Sequence, residues 1–153
     1  MRCVVAVVGR PRDAALAVAI QEYETRAARY WPLDVREVKG EQVASMPASE
    51  VRKRESQRLA DAVRGARVVA CAEAGKQFTS AAFAAWLQKA REAGRDIAFV
   101  IGGAHGLEPS LVTGASDRLS LGPWTLPHEL ARLVLAEQLY RAGTIVAGEP
   151  YHK

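Results

Sequence analysis

Long apolar runs, paired cysteines and nucleotide-triphosphate motifs are all missing from this chain, and each gap closes off a class of function. No apolar stretch approaches the roughly 20 residues that a spanning helix needs. The short run Met1 to Val8 leads into Gly9-Arg10-Pro11-Arg12-Asp13 with no small-residue cleavage site, so it reads as a strand rather than a leader. A cytoplasmic protein with no membrane partner is expected. The two cysteines, Cys3 and Cys71, lie in separate apolar runs and form no C-x-x-C pair, which argues against zinc and against a redox dithiol. Both read as small buried hydrophobes. His105, His128 and His152 match no zinc spacing and have no accompanying carboxylate motif, so a metal-dependent hydrolase is disfavoured and no metal is expected.

Phosphate-cradling signatures are absent too. Gly102, Gly103 and Gly106 fit no register of the dinucleotide fingerprint G-x-G-x-x-G. Gly75-Lys76 is not a P-loop, because Ala70 stands where its first glycine should be and Gln77 replaces the Ser or Thr that would hold magnesium.

What remains is enough for one domain, taken as residues 1–153, since 49% of the chain is apolar. A formal charge of +4 and a pI near 9.3 are compatible with a polyanionic partner but do not demand one.

The β-branched run Cys3 to Val8 predicts a strand, and Asp13 is placed to cap an Ala-rich helix over 14–29. Alternation over Leu33 to Val38 predicts a half-exposed strand, and 49–64 reads as a polar surface helix. Strands follow at 67–72, 96–101 and 117–121, with helices over 80–93 and from about 125 to 141 or 142. Strands alternating with helices predict an α/β fold, a mostly parallel sheet with helices on both faces.

In such sheets ligands bind in loops at the carboxyl ends of the strands. The segments 71–77, 102–108 and 121–126 qualify. The glycines of the second suit a sharp bend or a close backbone approach to a ligand, although a plain strand-to-helix turn would use them as well. In the third, Thr125 offers a capping hydroxyl and Pro127 a first-turn proline. At about 100° per residue, Leu130, Leu133, Val134, Leu135, Leu139 and Tyr140 spread around most of the last helix, which predicts cover from a second copy of the chain. His128 and Arg132 share a face of that helix and are candidate functional residues, whereas Glu137 and Arg141, also four apart, read as a structural ion pair. Gly148-Glu-Pro-Tyr-His-Lys153 has a composition suited to holding a base by stacking and hydrogen bonding, but a terminal segment ordinarily frays.

Four blocks in order, Phe99-Val-Ile-Gly-Gly-Ala-His-Gly-Leu107, Leu119-Ser-Leu-Gly-Pro-Trp-Thr-Leu-Pro-His128, Glu137-Gln-Leu-Tyr-Arg141 and Gly148-Glu-Pro-Tyr-His152, resemble the bacterial large-subunit ribosomal RNA pseudouridine N3 methyltransferases. These are trefoil-knot (SPOUT) methyltransferases. The resemblance implies a C-terminal segment threaded through a loop, a topology that is otherwise rare. It also implies S-adenosylmethionine held in bent form as methyl donor, and a homodimer acting on ribosomal RNA or the ribosome. Carried over by motif, the donor contacts are Cys71, Gly102, Gly103, Gly106 and the run Leu121, Gly122, Pro123, Trp124, Thr125, Leu126. The catalytic side comprises His128, Arg132, Arg141, Tyr151 and His152. Ala104-His105 replaces the family's common Pro-Glu pair, and Cys71 and Trp124 stand where aliphatic residues are usual.

Methyl transfer from a sulfonium is an in-line displacement, so alignment and dehydration are the main demands. The acceptor nitrogen carries a proton at neutral pH. Arg132 or Lys153 is therefore expected to stabilise developing charge, and His152 or His128 to accept the proton. The competing reading is a nonenzymatic RNA-binding or ribosome-associated protein using the basic surface and the tail.

Overall fold

Six consecutive residues with no charge, Cys-Val-Val-Ala-Val-Val, form β1 (Cys3–Val8), and five of them are fully buried. Such a run suits a strand covered on both faces. The computed structural model describes residues 1–153 apart from the side chain of Val43. The other strands are β2 (Leu33–Val38), β3 (Arg67–Lys76), β4 (Ile97–Val100) and β5 (Asp117–Leu119). All pair in parallel in the order β2-β1-β4-β3-β5, which is the expected fold class. The helices are α1 (Ala14–Ala27), α2 (Ala48–Ala62), α3 (Ser80–Glu92), α4 (Pro109–Gly114) and α5 (His128–Ala147).

The pleat sends alternate side chains to opposite faces. Val5, Val7 and Phe99 meet Leu87 of α3 and Leu135 and Leu139 of α5, whereas Val4, Ala6 and Ala98 meet Leu59 of α2 and Val63 beyond it. Leu135 and Leu139 are wholly buried, which is worth about 1.5–3 kcal/mol for each. α5 lies against both α1 and α3. These two helices of the same chain cover much of its apolar spread and leave Leu130, Leu133 and Val134 part-exposed.

Three departures from the sequence reading bear on function. β3 runs past residue 72 to Lys76, because Cys71 and Lys76 both pair with Leu119 and the residues between arch across it. A side chain at Gly75 would put its Cβ 2.5 Å from the Leu119 carbonyl carbon, so the chain leaving β5 is pressed against this arch. Second, α5 begins at His128 rather than near Thr125: the Thr125 hydroxyl is bonded to Glu73, and Pro127 takes the cap position without a side-chain bond. Third, α5 continues to Ala147 and ends on left-handed Gly148, with the Glu149 N–H bonded to the Thr144 carbonyl at 2.9 Å. This turns the tail back onto the helix instead of letting it fray.

Candidate active site

The carboxyl ends of β3, β4 and β5 open into one cleft of about 860 Å³. Its walls are the three segments singled out in the sequence, here Cys71–Ala74, Ile101–Leu107 and Leu121–Leu126, closed by His128 and Ala131 of α5. Of the ten expected donor contacts only Pro123 does not line it, being exposed between Gly122 and Trp124.

Each wall is held by an identifiable device. Gly102 is required by space: a Cβ there would stand 2.5 Å from the Gly106 carbonyl carbon, across a turn closed by the Gly106 N–H on the Gly103 carbonyl at 3.0 Å. α2 grips that turn from the far face. Ser56 Oγ accepts the Glu108 N–H at 2.8 Å, Arg52 pairs with the Glu108 carboxylate at 3.1 Å, and Glu55 is buried beside Gly103. The third wall folds on Ser120, whose hydroxyl donates to the Gly122 carbonyl at 2.8 Å and whose N–H donates to the Lys76 carbonyl at 2.9 Å. The Thr125–Glu73 bond ties the first wall to the third.

Chemically the cleft is apolar and short of cations. Cys71, Ala72, Ile101, Leu107, Leu121 and Leu126 give it dry surface, and Glu73 is the only Asp, Glu, Lys or Arg among the described residues lining it. Although Cys71 reaches the cleft wall, its low-polarity surroundings push the thiol up to about 12, so it is a neutral wall and not a nucleophile. Trp124 stands at the mouth, 71% exposed. The volume falls within the usual range for small-molecule sites of roughly 300–1,000 Å³. Without a lysine or arginine the cleft is poorly suited to a phosphate. A neutral or cationic nucleoside fits it, with backbone groups for the base and Glu73 near a positive centre.

The five residues expected on the catalytic side fall in three places. His128 lines the cleft. Arg132 turns the other way: it is 7% exposed and clamped by Glu24 at 2.7 Å and Glu37 at 3.3 Å. Burial opposes its charge, but the bonds it donates to Glu24 and Glu37 outweigh that and hold it protonated.

Arg141, Tyr151 and His152 gather at the far end of α5. Arg141 pairs with Glu137 at 2.6 Å, the ion pair expected from their spacing, and lies over the Tyr151 ring at 4.7 Å. The Tyr151 hydroxyl donates to Glu137 at 3.1 Å, its ring packs 4.6 Å from that of Tyr140, and His152 Nδ1 is 3.3 Å from Arg141. Burial, with bonds from Tyr23 and Glu137, pushes the Tyr151 phenol up to about 12. His128 and Arg141 stand thirteen positions apart on the helix, a span of about 20 Å at 1.5 Å per residue.

Glu73, Glu55 and Ser56 were not singled out in the sequence. Glu73 sits inside a segment already marked as a binding loop, whereas nothing in the polar pattern of α2 separates its two buried polar residues from their exposed neighbours. His105 also lines the cleft, in the same turn as Gly106. Among the described residues no three His, Cys, Asp or Glu side chains come together as a metal site.

Comparison with known proteins bears on this arrangement. The family model described as predicted SPOUT methyltransferase matches residues 1–152. The chain is 60% identical over 158 aligned residues to a protein of Gemmatimonas aurantiaca named ribosomal RNA large subunit methyltransferase H, and 45% identical over 154 to one of the same name from an Anaeromyxobacter species; both alignments cover all of each chain. Among solved structures, a probable methylase family protein from Haemophilus influenzae superposes with a TM-score of 0.58 at 13% identity, covering 99% of this chain and 70% of that one. A probable methyltransferase from Bordetella pertussis gives 0.55 at 12% identity, covering 91% and 95%. At such identities these structures speak for the fold, while the full-length matches in sequence carry the assignment. The chain belongs to the SPOUT methyltransferases and, within them, to the ribosomal RNA large subunit methyltransferase H family.

Proposed function

We propose that this chain is a cytoplasmic enzyme that transfers the methyl group of S-adenosylmethionine to N3 of a pseudouridine in large-subunit ribosomal RNA, and that it does so as a homodimer. The observation that carries the reading is the cleft itself: three loops at the carboxyl ends of the strands converge on an apolar hollow with one carboxylate and no Lys or Arg, which suits a sulfonium-bearing nucleoside. The walls at Gly102–Leu107 and Leu121–Leu126 would hold the adenosine through backbone groups, with Glu73 near the positive sulfur.

In the displacement the carbon–sulfur bond breaks as the carbon–nitrogen bond forms, and the acceptor nitrogen gives up its proton. His128, which reaches the cleft from the first turn of α5 and is one of two imidazoles there with His105, is assigned to accept it. Arg132 is committed to Glu24 and Glu37, so its part is to fix α5 against α1 and β2 rather than to meet the acceptor. The tail residues Tyr151, His152 and Lys153 lie a helix length away. They serve the reaction when a second copy packs with its α5 reversed against the part-exposed stripe, bringing its tail to this cleft.

Two measurements test the reading. Calorimetry should detect S-adenosylmethionine binding to the purified protein, and a tritiated methyl group should pass to ribosomal RNA taken from cells lacking the gene, at one pseudouridine by nuclease mapping. Absence of both binding and transfer would reject it. Binding without transfer to any of free RNA, large subunits or assembled ribosomes would leave only the donor site standing.

A further inference from the structure

A cleft with no Lys or Arg has to leave the charge of a nucleic acid to be met elsewhere, and three exposed cations stand near its rim. β1 and β2 run side by side with Val8 opposite Val38, so the segments that follow them leave the sheet together, next to the glycine turn. They carry Arg10, Arg12 and Lys39, all exposed. None of the three takes part in an ion pair among the described residues.

The neighbouring carboxylates are already engaged. Asp13 accepts the Leu16 N–H at 2.9 Å, Glu37 pairs with Arg132 at 3.3 Å, and Glu41 pairs with Arg58. Glu129 accepts the backbone N–H groups of Arg12 and Asp13 at 2.5 and 3.5 Å. That last contact moors the loop to the first turn of α5, immediately beside His128. Arg10 and Pro11 share a small depression with Gly102 and His128 on its outer side. The Gly9 N–H, bonded to the Val38 carbonyl at 2.8 Å, fixes the other end of the loop.

We propose that Arg10, Arg12 and Lys39 form a clamp for the RNA phosphate backbone at the rim of the cleft, on the His128 side. The proposal rests on the methyltransferase reading above. A nucleotide whose base enters the cleft leaves its phosphates at the mouth, and guanidinium groups bind phosphate through paired charge-assisted hydrogen bonds. A loop pinned at both ends holds these donors in place before RNA arrives, which lowers the ordering cost of binding.

The test compares two double variants that each remove two charges. Arg10→Ala/Arg12→Ala strips the rim. Arg29→Ala/Arg95→Ala strips two exposed arginines that precede β2 and β4, at the opposite end of the sheet. Methylation is followed on ribosomes, and direct binding on protein-free large-subunit RNA over a range of salt concentrations.

The rim variant should raise KM for ribosomes about tenfold with kcat within about twofold, and should lower the slope of log affinity against log salt by about two, one for each lost phosphate contact. S-adenosylmethionine affinity should not change, and the control variant should stay within about twofold of the parent, the small change expected of charges remote from the contact. Equal losses in both variants would show a net-charge effect and overturn the clamp. So would no loss in the rim variant, or a fall in kcat at unchanged KM. If the parent protein methylates nothing but binds RNA through the rim, the methyltransferase reading fails and the clamp survives; if it does neither, both fail. Should the double variant not fold, Arg10→Gln and Arg12→Gln are measured singly, each expected to raise KM about threefold by the same loss of one contact.

Discussion

The two ends of α5 carry residues of the same kind, histidine, arginine and glutamate, yet they are built for different purposes. At the start of the helix Glu129 holds backbone amides, Arg132 is locked between Glu24 and Glu37, and only His128 is left facing the cleft. At its end Glu137 collects Arg141 and the Tyr151 hydroxyl into an open cluster beside exposed His152. The first end is a frame around a hollow, and the second is a cluster of polar and aromatic side chains on the surface. The contrast teaches that one chain carries its cleft at one end of a helix and three of the five residues expected on the catalytic side about 20 Å away, a separation that the proposed homodimer would bridge.

Breaking the frame should have the largest effect. Gly102→Ala forces a Cβ to within 2.5 Å of Gly106, so S-adenosylmethionine affinity by calorimetry should fall more than about 100-fold, as expected when a backbone that lines a ligand must move. Next, Arg132→Met takes the shared cation from part-buried Glu24 and the more exposed Glu37; stability should drop by about 1–3 kcal/mol, seen in denaturant midpoints, the usual cost of stripping charge-assisted bonds from a group that keeps some access to water.

At the other end, Tyr151→Ala/His152→Ala should lower kcat by about tenfold or more, the usual contribution of a positioned polar group, with donor affinity unchanged. Mixing this variant with Gly102→Ala sharpens the comparison: if sites combine a cleft from one copy with a tail from the other, random exchange should restore about a quarter of parental activity. No recovery after verified subunit exchange would place both halves of the site in a single chain.

The smallest effect is alkaline. Burial pushes the Cys71 thiol from 9.0 up to about 12 and, with bonds from Tyr23 and Glu137, the Tyr151 phenol from 10.0 to about 12. In each case the fold favours the protonated form. The associated stability is fully present below the unfolded value and is lost as pH rises through about 12. Cys71→Ala at the cleft and Tyr151→Phe at the tail should each move the alkaline unfolding midpoint upward by roughly half a pH unit.

The architecture was legible where a single element carries its own signal. The β-branched runs gave β1 and β4, Asp13 capped α1 as expected through the Leu16 N–H, and the parallel sheet then located all three walls of the cleft. α4 was not legible, being six residues long with Pro109 at its start and too short to show a period. Nor was the end of β3, where Glu73-Ala-Gly-Lys76 has no strand pattern and extends only because the chain at Leu119 passes beneath it. The role of Arg132 escaped for a related reason: its partners lie 108 and 95 residues away on α1 and β2, so local spacing offered His128 as its companion when the fold supplied two carboxylates.

The all-parallel sheet also sets the order in which this chain can acquire structure as it is made. Val4 of β1 takes Ala98 of β4 as its partner, 94 positions later, and no two strands form a hairpin. At a synthesis rate of about 5–20 residues per second, the apolar first strand waits roughly 5–20 s for that neighbour. During that interval it has only β2 beside it and half of its hydrogen-bonding edge is bare, so the nascent chain is most open to misassociation before its second half has emerged.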